Sequence, residues 1–393
     1  MGAAMTMAWT KILVLAGVVA LSACAQTQAP APVKQDVPVP APKAVDTPAI
    51  SVPSGPIIGP KGVPIDRSVT LTKIGFGSCL QQERPMPIFD AIMKDKPQLF
   101  LMIGDNVYGD SKDAELTKLR KAYYTLAQRA EWQRFRSAQP MLATWDDHDY
   151  GDNDEGGKFA PKGLAQKLFA DFWDLPADAP ARRRDGIYDS VIIGPAGKRV
   201  QIILLDTRYF RSDLTPTDQR NAPGKERYLP STAQGQDMLG AAQWAWLEKE
   251  LKKPADLRIL ASSIQIIAEG HGWERWGLLP AEQDRLYRLL AQTKVKGLFA
   301  ISGDRHSAAI YRSEKGLKYP LYDVTSSSLN LAFPDSKFED LPAPTRLTKA
   351  FRGENYGMLS IDWDKRAVLA EIKDNQGATV HRQTMEFREL GLK

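Results

Sequence analysis

Residues 141–154, MLATWDDHDYGDND, set five aspartates, one histidine and one asparagine within positions 146 to 154, directly after an apolar run. Carboxylates that close repel one another and lose hydration when ordered, so a fold that gathers them needs positive charge among them. Other potential ligands stand elsewhere in the chain: Cys79, Asp105, Tyr108, Gln265, Asp304 and His306. Hard oxygen donors suit magnesium, calcium, manganese or ferric iron, imidazole suits several transition metals, and a thiolate adds a soft donor. A cation beside Cys79 would keep its sulfur deprotonated. Two cations about 3.5–4 Å apart, bridged by a shared carboxylate, can clamp a phosphate and activate water for in-line attack.

The elements that must position these groups are read from apolar runs. SVTLTKIGFGSC reads as a strand ending at Gly77-Ser78-Cys79, and PMPIFDAIMKDK as a helix with Ile88, Phe89, Ile92 and Met93 on one face. The run Leu99 to Ile103 breaks at Gly104-Asp105, and PMLATWDDHD follows a charged, aromatic helical region over 113–137. RVQIILLDTRYF ends in Asp206, LRILASSIQII reaches Gln265, and KGLFAISGDRHSA ends in Asp304-Arg305-His306. Runs this continuous fit strands buried on both faces of a layered α/β protein. Ligands of such folds gather at the carboxyl ends of the strands, where loops converge. Six strand ends thus deliver Cys79, Asp105, the Asp146-Asp147-His148 group, Asp206, Gln265 and the Asp304/His306 pair. Of four histidines in the chain, His148 and His306 fall inside these groups and His271 just after the fifth strand.

The motifs FGSC, IGDNVY, TWDDHD, LDTR, SSIQ and SGDRH, in that order, resemble the PhoD-type alkaline phosphatases and phosphodiesterases, within the wider calcineurin-like metallophosphoesterases. The resemblance runs over about residues 70–375. It implies a four-layer α/β/β/α sandwich that hydrolyses phosphate mono- or diesters with a metal-activated hydroxide, using Fe3+ and a second cation, Ca2+. By resemblance, Asp105 bridges the two cations and Tyr108, Cys79 and His306 stand on the iron side. Asp147, Asp304 and Gln265 fall to the second cation, the amide of Gln265 favouring calcium. His148 is implied as general acid or phosphate contact. Arg305 faces either phosphate or solvent, and His271, Trp273 and Trp276 are read as lining the entrance, with packing as the other reading of each Trp. Asp146, Asp149, Asp152 and Asp154 divide between capping, solvation and metal contact, and Asn153 is a further ligand candidate. Asp206-Thr207-Arg208 reads as a structural Arg–carboxylate tie.

The chain has 393 residues, 43% hydrophobic and 25% charged, with a formal charge of +5. That is ordinary globular composition, and the scattered Lys and Arg form no basic stripe for nucleic acid. Lys11 precedes ILVLAGVVALSA, which is long enough for a signal-peptide core and too short to span a bilayer. LSAC at 21–24 resembles a bacterial lipobox, making Cys24 the lipidated residue; an ordinary signal peptide is the alternative. Residues 1–24 are then the signal peptide, 25–66 a Pro-rich extended tether, and 67–393 the catalytic domain. With Cys24 lipidated, Cys79 has no disulfide partner in the mature chain. Ala25 rather than Asp after the Cys argues, by resemblance, against inner-membrane retention, so the expected setting is the cell envelope, lipid-anchored at the outer membrane and facing periplasm or exterior, as a monomer. Relatives with an extra N-terminal β domain differ here, which leaves the mono- versus diester preference open. A membrane-phospholipid phosphodiesterase and a non-catalytic calcium-binding envelope module are the competing readings, and the latter leaves Cys79 and His306 unexplained.

Overall fold

The computed structural model describes residues 52–335 and 343–393. Cys24, the signal peptide and the tether up to Ser51 lie outside the described residues. The fold is mixed α/β, built on two six-stranded sheets.

The strands are β1 (Lys73–Gly77), β2 (Leu99–Ile103), β3 (Met141–Thr144), β4 (Asp189–Ile193), β5 (Val200–Leu204), β6 (Thr215–Pro216) and β7 (Tyr228–Leu229). They continue as β8 (Leu257–Ser262), β9 (Leu298–Ser302), β10 (Ala308–Ser313), β11 (Leu321–Ser326), β12 (Asn355–Asp362), β13 (Ala367–Asp374) and β14 (Thr379–Glu386). The helices are α1 (Ile88–Asp95), α2 (Thr117–Gln128), α3 (Ala130–Ala138), α4 (Asp147–Tyr150), α5 (Lys162–Phe172), α6 (Gly240–Leu251) and α7 (Pro280–Thr293).

One sheet runs β14-β13-β12-β1-β2-β3 and the other β10-β11-β9-β8-β5-β4. In the first, β1, β2 and β3 are parallel, joined through α1 and then through α2 and α3. In the second, β5, β8 and β9 are parallel, joined through α6 and α7. Parallel neighbours need such crossovers, and their strands are buried on both faces. LFLMI of β2 and LFAIS of β9 are buried at every position.

Alternation decides which core each residue joins. Ile202 and Leu204 of β5 pack with Ile74, Phe76, Leu101 and Ile103 of the first sheet. Ile203 and Leu205 pack instead with Trp244 and Leu247 of α6 and Leu286 and Leu290 of α7. A third core joins Phe100 and Met102 of β2 to helical residues such as Phe89, Tyr123, Trp132 and Phe169. β13 shows the period of two directly, with Val368, Ala370 and Ile372 buried and their neighbours only partly so.

The described end of the Pro-rich segment lies against the domain. Ile57 is buried, Gly59 donates its backbone N–H to Phe172, and Val63 bridges to Pro140. Arg120 of α2 donates to the carbonyls of Pro53 and Gly55. A Cβ at Gly59 would meet the Phe172 carbonyl oxygen at 2.3 Å, so only glycine permits that approach. The solvated stretch expected to reach residue 66 therefore gives way to packed chain by Ile57: proline denies ladder bonds, but an extended segment can still fill a groove.

Among the described residues, no helix is long and apolar enough to cross a membrane.

Candidate metal centre

The parallel strands of both sheets end at one edge, and their loops bring the titratable groups together. Cys79 follows β1, Asp105 and Tyr108 follow β2, Asp146 and Asp147 follow β3, and Asp304 and His306 follow β9. Four of these residues have left-handed backbone: Cys79 at φ 59°, Asp105 at 50°, Asp304 at 67° and His306 at 50°. Such conformations are costly for non-glycine residues and persist where surrounding structure fixes them. Gly104, at φ 113°, completes the turn after β2, where a Cβ would lie 2.7 Å from that of Asp146.

Four sets of ligand atoms result: Asp105, Asp147 and His148 form one, Asp147, Asp154 and Glu274 another, and two more make up the centre of the cluster. Donors of Cys79, Asp105 and His306 lie within 4.8 Å of one another, as do carboxylate oxygens of Asp105, Asp146, Asp147 and Asp304. Asp105 belongs to both of these central sets. Its Oδ2 is 3.4 Å from the Cys79 sulfur and 3.1 Å from the Tyr108 hydroxyl, and its Oδ1 is 3.4 Å from the His148 amide. The Tyr108 hydroxyl is also 3.5 Å from Nε2 of His306. His306 commits Nδ1 to the Leu331 carbonyl, which presents Nε2 to the thiol and phenol.

Burial sets the electrostatics. Desolvation and then the Asp147 charge push the Asp105 carboxyl well above its usual range, and desolvation and then Asp105 do the same to the Cys79 thiol. Tyr108 is raised by the same two causes. His306 is lowered to about 4, chiefly by burial. Burial would also lower His148, but the carboxylates of Asp147, Asp105 and Asp110 outweigh it and hold the imidazole at about 11. The cluster thus favours added positive charge, as the His148 imidazole already shows.

The most deeply buried protein cation among the acids is an arginine. Arg208 is fully buried, with Nε 2.5 Å from Asp146, Nη2 2.7 Å from Glu274 and Nη2 3.6 Å from Asp147. Burial opposes its charge, but Asp146 and Glu274 hold it well above its ordinary value. The tie expected at 206–208 therefore runs from Arg208 to Asp146 and Glu274. Asp206 instead accepts the Trp145 indole N–H and the amides of Ile187, Arg208 and Tyr209.

Arg208, Arg211 on Glu274 and the His148 imidazole still do not satisfy this many acids. Asp146 Oδ2 and Asp147 Oδ1 are buried and accept no hydrogen bond among the described residues. Buried anionic oxygens without donors are costly, and a hard cation satisfies them without adding a proton. The donor set at Cys79, Asp105, Tyr108 and His306 adds thiolate, phenolate and imidazole, which suits a transition metal. The residues therefore fit two cations sharing Asp105.

Among the remaining acids, Asp154 shares a ligand set with Asp147 and Glu274 while also pairing with protein groups. Asp149 accepts the amides of Asp105, Asn106 and Asp146, and fixes the turns that carry the cluster. Asp154 binds Arg227 at 2.5 Å and the Tyr228 hydroxyl at 2.8 Å, and Asp152 pairs with Lys112. Asp110, absent from the sequence reading, lies 2.8 Å from Nδ1 of His148. Its signal was present in Gly109-Asp110, one step beyond the Tyr108 motif.

A cavity of about 360 Å³ opens over the cluster, lined by Tyr108, Asp147, His148, Asn153, Asp154, Arg227, Trp273, Glu274, Asp304, Arg305, His306, Leu331 and Phe333. Three expectations change here. The Gln265 amide oxygen accepts from His271 Nε2 at 2.9 Å and its nitrogen donates to Thr325, so both polar atoms are committed inside the fold. His271 is buried against Gln265 and does not line the cavity. Trp276 is fully buried, its indole N–H donating to Ser262 and its ring packed on Trp244, so Trp273 is the indole at the cavity.

A family model described as PhoD-like phosphatase matches residues 74–334. A solved structure described as "Structure of PhoD" superposes with a TM-score of 0.61 at 16% identity, over 81% of this chain and 69% of that one. The Plasmodium structure "GAP50 the anchor in the inner membrane complex of Plasmodium" gives 0.53 at 12% identity, over 81% and 90%. Identities this low show a shared fold alone. No curated protein sequence matches the chain.

Proposed function

The chain belongs to the PhoD-like phosphatase family, and from that premise we propose that it hydrolyses phosphate esters at the cavity over Asp105. One observation carries the reading: Asp105 lies in the set with Cys79 and His306 and in the set with Asp146, Asp147 and Asp304, so two cations would share it. We assign Cys79, Tyr108, Asp105 and His306 to Fe3+, and Asp105, Asp147 and Asp304, with Asp146 behind them, to a harder ion such as Ca2+. When bound, the cations supply Lewis acidity to the phosphoryl oxygens and lower the pKa of a water nucleophile.

The other steps belong to the chain. His148, oriented by Asp110, carries the proton that the leaving alkoxide needs and faces the cavity where charge develops. Arg208 holds Asp146 and Glu274, and so fixes the carboxylates around the second cation. Leu331 fixes the His306 ring.

The purified protein is tested on p-nitrophenyl phosphate and bis-p-nitrophenyl phosphate, with chelator and after metal is restored. Asp105→Ala should abolish turnover of both and reduce bound metal while far-ultraviolet circular dichroism stays unchanged. Turnover insensitive to chelator would remove the metal from the reaction. We further propose that Cys24 carries a lipid that holds the domain at the cell envelope, supported by LSAC and the Pro-rich stretch after it. Cys24→Ser would then release the protein from membranes; unchanged membrane partition would sink that assignment.

A further inference from the structure

Phosphate is small and charged, and His148 with the assigned cations would suffice to meet it. The cavity that His148 lines also includes Leu331, Phe333 and Trp273, and at about 360 Å³ has room for an organic group. Phe333 is 50% exposed, and its ring centroid stands 4.4 Å from that of His306. Among the described residues, the other exposed large hydrophobics are Ile58 and Leu347, and neither lines this cavity. A ring left half in water beside the candidate ligands gains from being covered by a bound molecule. The cavity also presents Trp273, whose ring lies 4.8 Å from the Arg227 guanidinium and 5.5 Å from that of Arg305.

We propose that the ester taken by this site carries an aromatic ring on its organic arm, and that Phe333 is the residue that selects it. The proposal rests on the phosphoesterase reading above. An aliphatic arm would gain from burial alone. A ring also gains offset or edge-to-face contact with Phe333, worth about three- to tenfold in binding.

The test uses the full chain loaded with metal. Phenethylphosphonate and butylphosphonate, whose P–C bonds resist hydrolysis, are titrated by calorimetry. Phenethyl phosphate and butyl phosphate, whose alcohols are of similar acidity, are compared by kcat/KM. The wild type should prefer the phenethyl member of each pair. Phe333→Leu, which keeps apolar area but removes the ring, should lower that preference about three- to tenfold, and Phe333→Tyr should restore it. A preference unchanged in Phe333→Leu, or lost equally in Phe333→Tyr, overturns the proposal. If neither ester is hydrolysed but the phosphonate preference persists and follows the ring, the catalytic reading falls and the aromatic subsite stands. If both esters are hydrolysed with no preference, the subsite falls and the catalytic reading stands.

Discussion

Nδ1 of His148 lies 2.8 Å from Oδ1 of Asp110, which commits that nitrogen and leaves Nε2 for the cavity that His148 lines. The carboxylate fixes the ring's tautomer and orientation and favours its protonated form.

Asp110→Asn removes the carboxylate charge but keeps an oxygen near Nδ1. Turnover of an alkyl phosphate, whose leaving group needs a proton, should fall by about a hundredfold. Turnover of p-nitrophenyl phosphate, whose phenolate leaves unaided, should fall much less. Equal losses on both esters would assign Asp110 to structure or metal retention instead, which elemental analysis of the variant would separate.

The ligand set assigned to iron predicts a coloured protein, because ferric iron bound by phenolate and thiolate absorbs visible light by charge transfer. Tyr108→Phe and Cys79→Ser should each change the band, read by absorption spectroscopy beside the iron content. A colourless preparation fully loaded with metal would count against this ligand set.

Arg208→Met leaves Asp146 buried without its protein counter-charge and leaves Glu274 with Arg211 alone. Breaking a buried pair from one side costs about 3–5 kcal/mol, read as a lower denaturation midpoint. Excess Ca2+ should recover part of the loss if the freed carboxylates lie in a cation site. A variant as stable as the wild type would show the arginine to be dispensable.

Asp171 is paired with Lys167 at 2.8 Å and Arg182 at 2.7 Å, away from the metal cluster. Burial opposes its ionisation, but the two cations hold the carboxyl below its usual range. A folded-state value below the unfolded one stabilises above the unfolded pKa and is lost as pH falls through the folded value. Asp171→Asn should therefore be less stable at neutral pH, with a shallower loss of stability below about pH 4. Thermal midpoints measured from pH 7 downward check this; parallel curves would rule the pair out.

The strand ends were legible because LFLMI and LFAIS are continuous apolar runs that stop at Gly-Asp, and the parallel sheet places such stops at one edge. The network behind them was not. Arg208 meets Asp146 and Glu274 across 62 and 66 positions of chain, and no local pattern marks one arginine as their partner. Trp273 and Trp276 were indistinguishable by type. The 3-10 turn Trp276–Leu278 carries the second into the core, where Ser262 takes its indole N–H. Gln265 lay at the expected strand end, but pairing with His271 and Thr325 turned its amide away. Proline density forecast an unpaired backbone before residue 66, and it could not reveal the apolar groove that receives Ile57.

The left-handed turns at Cys79, Asp105, Asp304 and His306 belong to the polypeptide itself. Those conformations follow directly on the ends of β1, β2 and β9, so a substitution that loosens one of these strands should reach the site without touching a ligand.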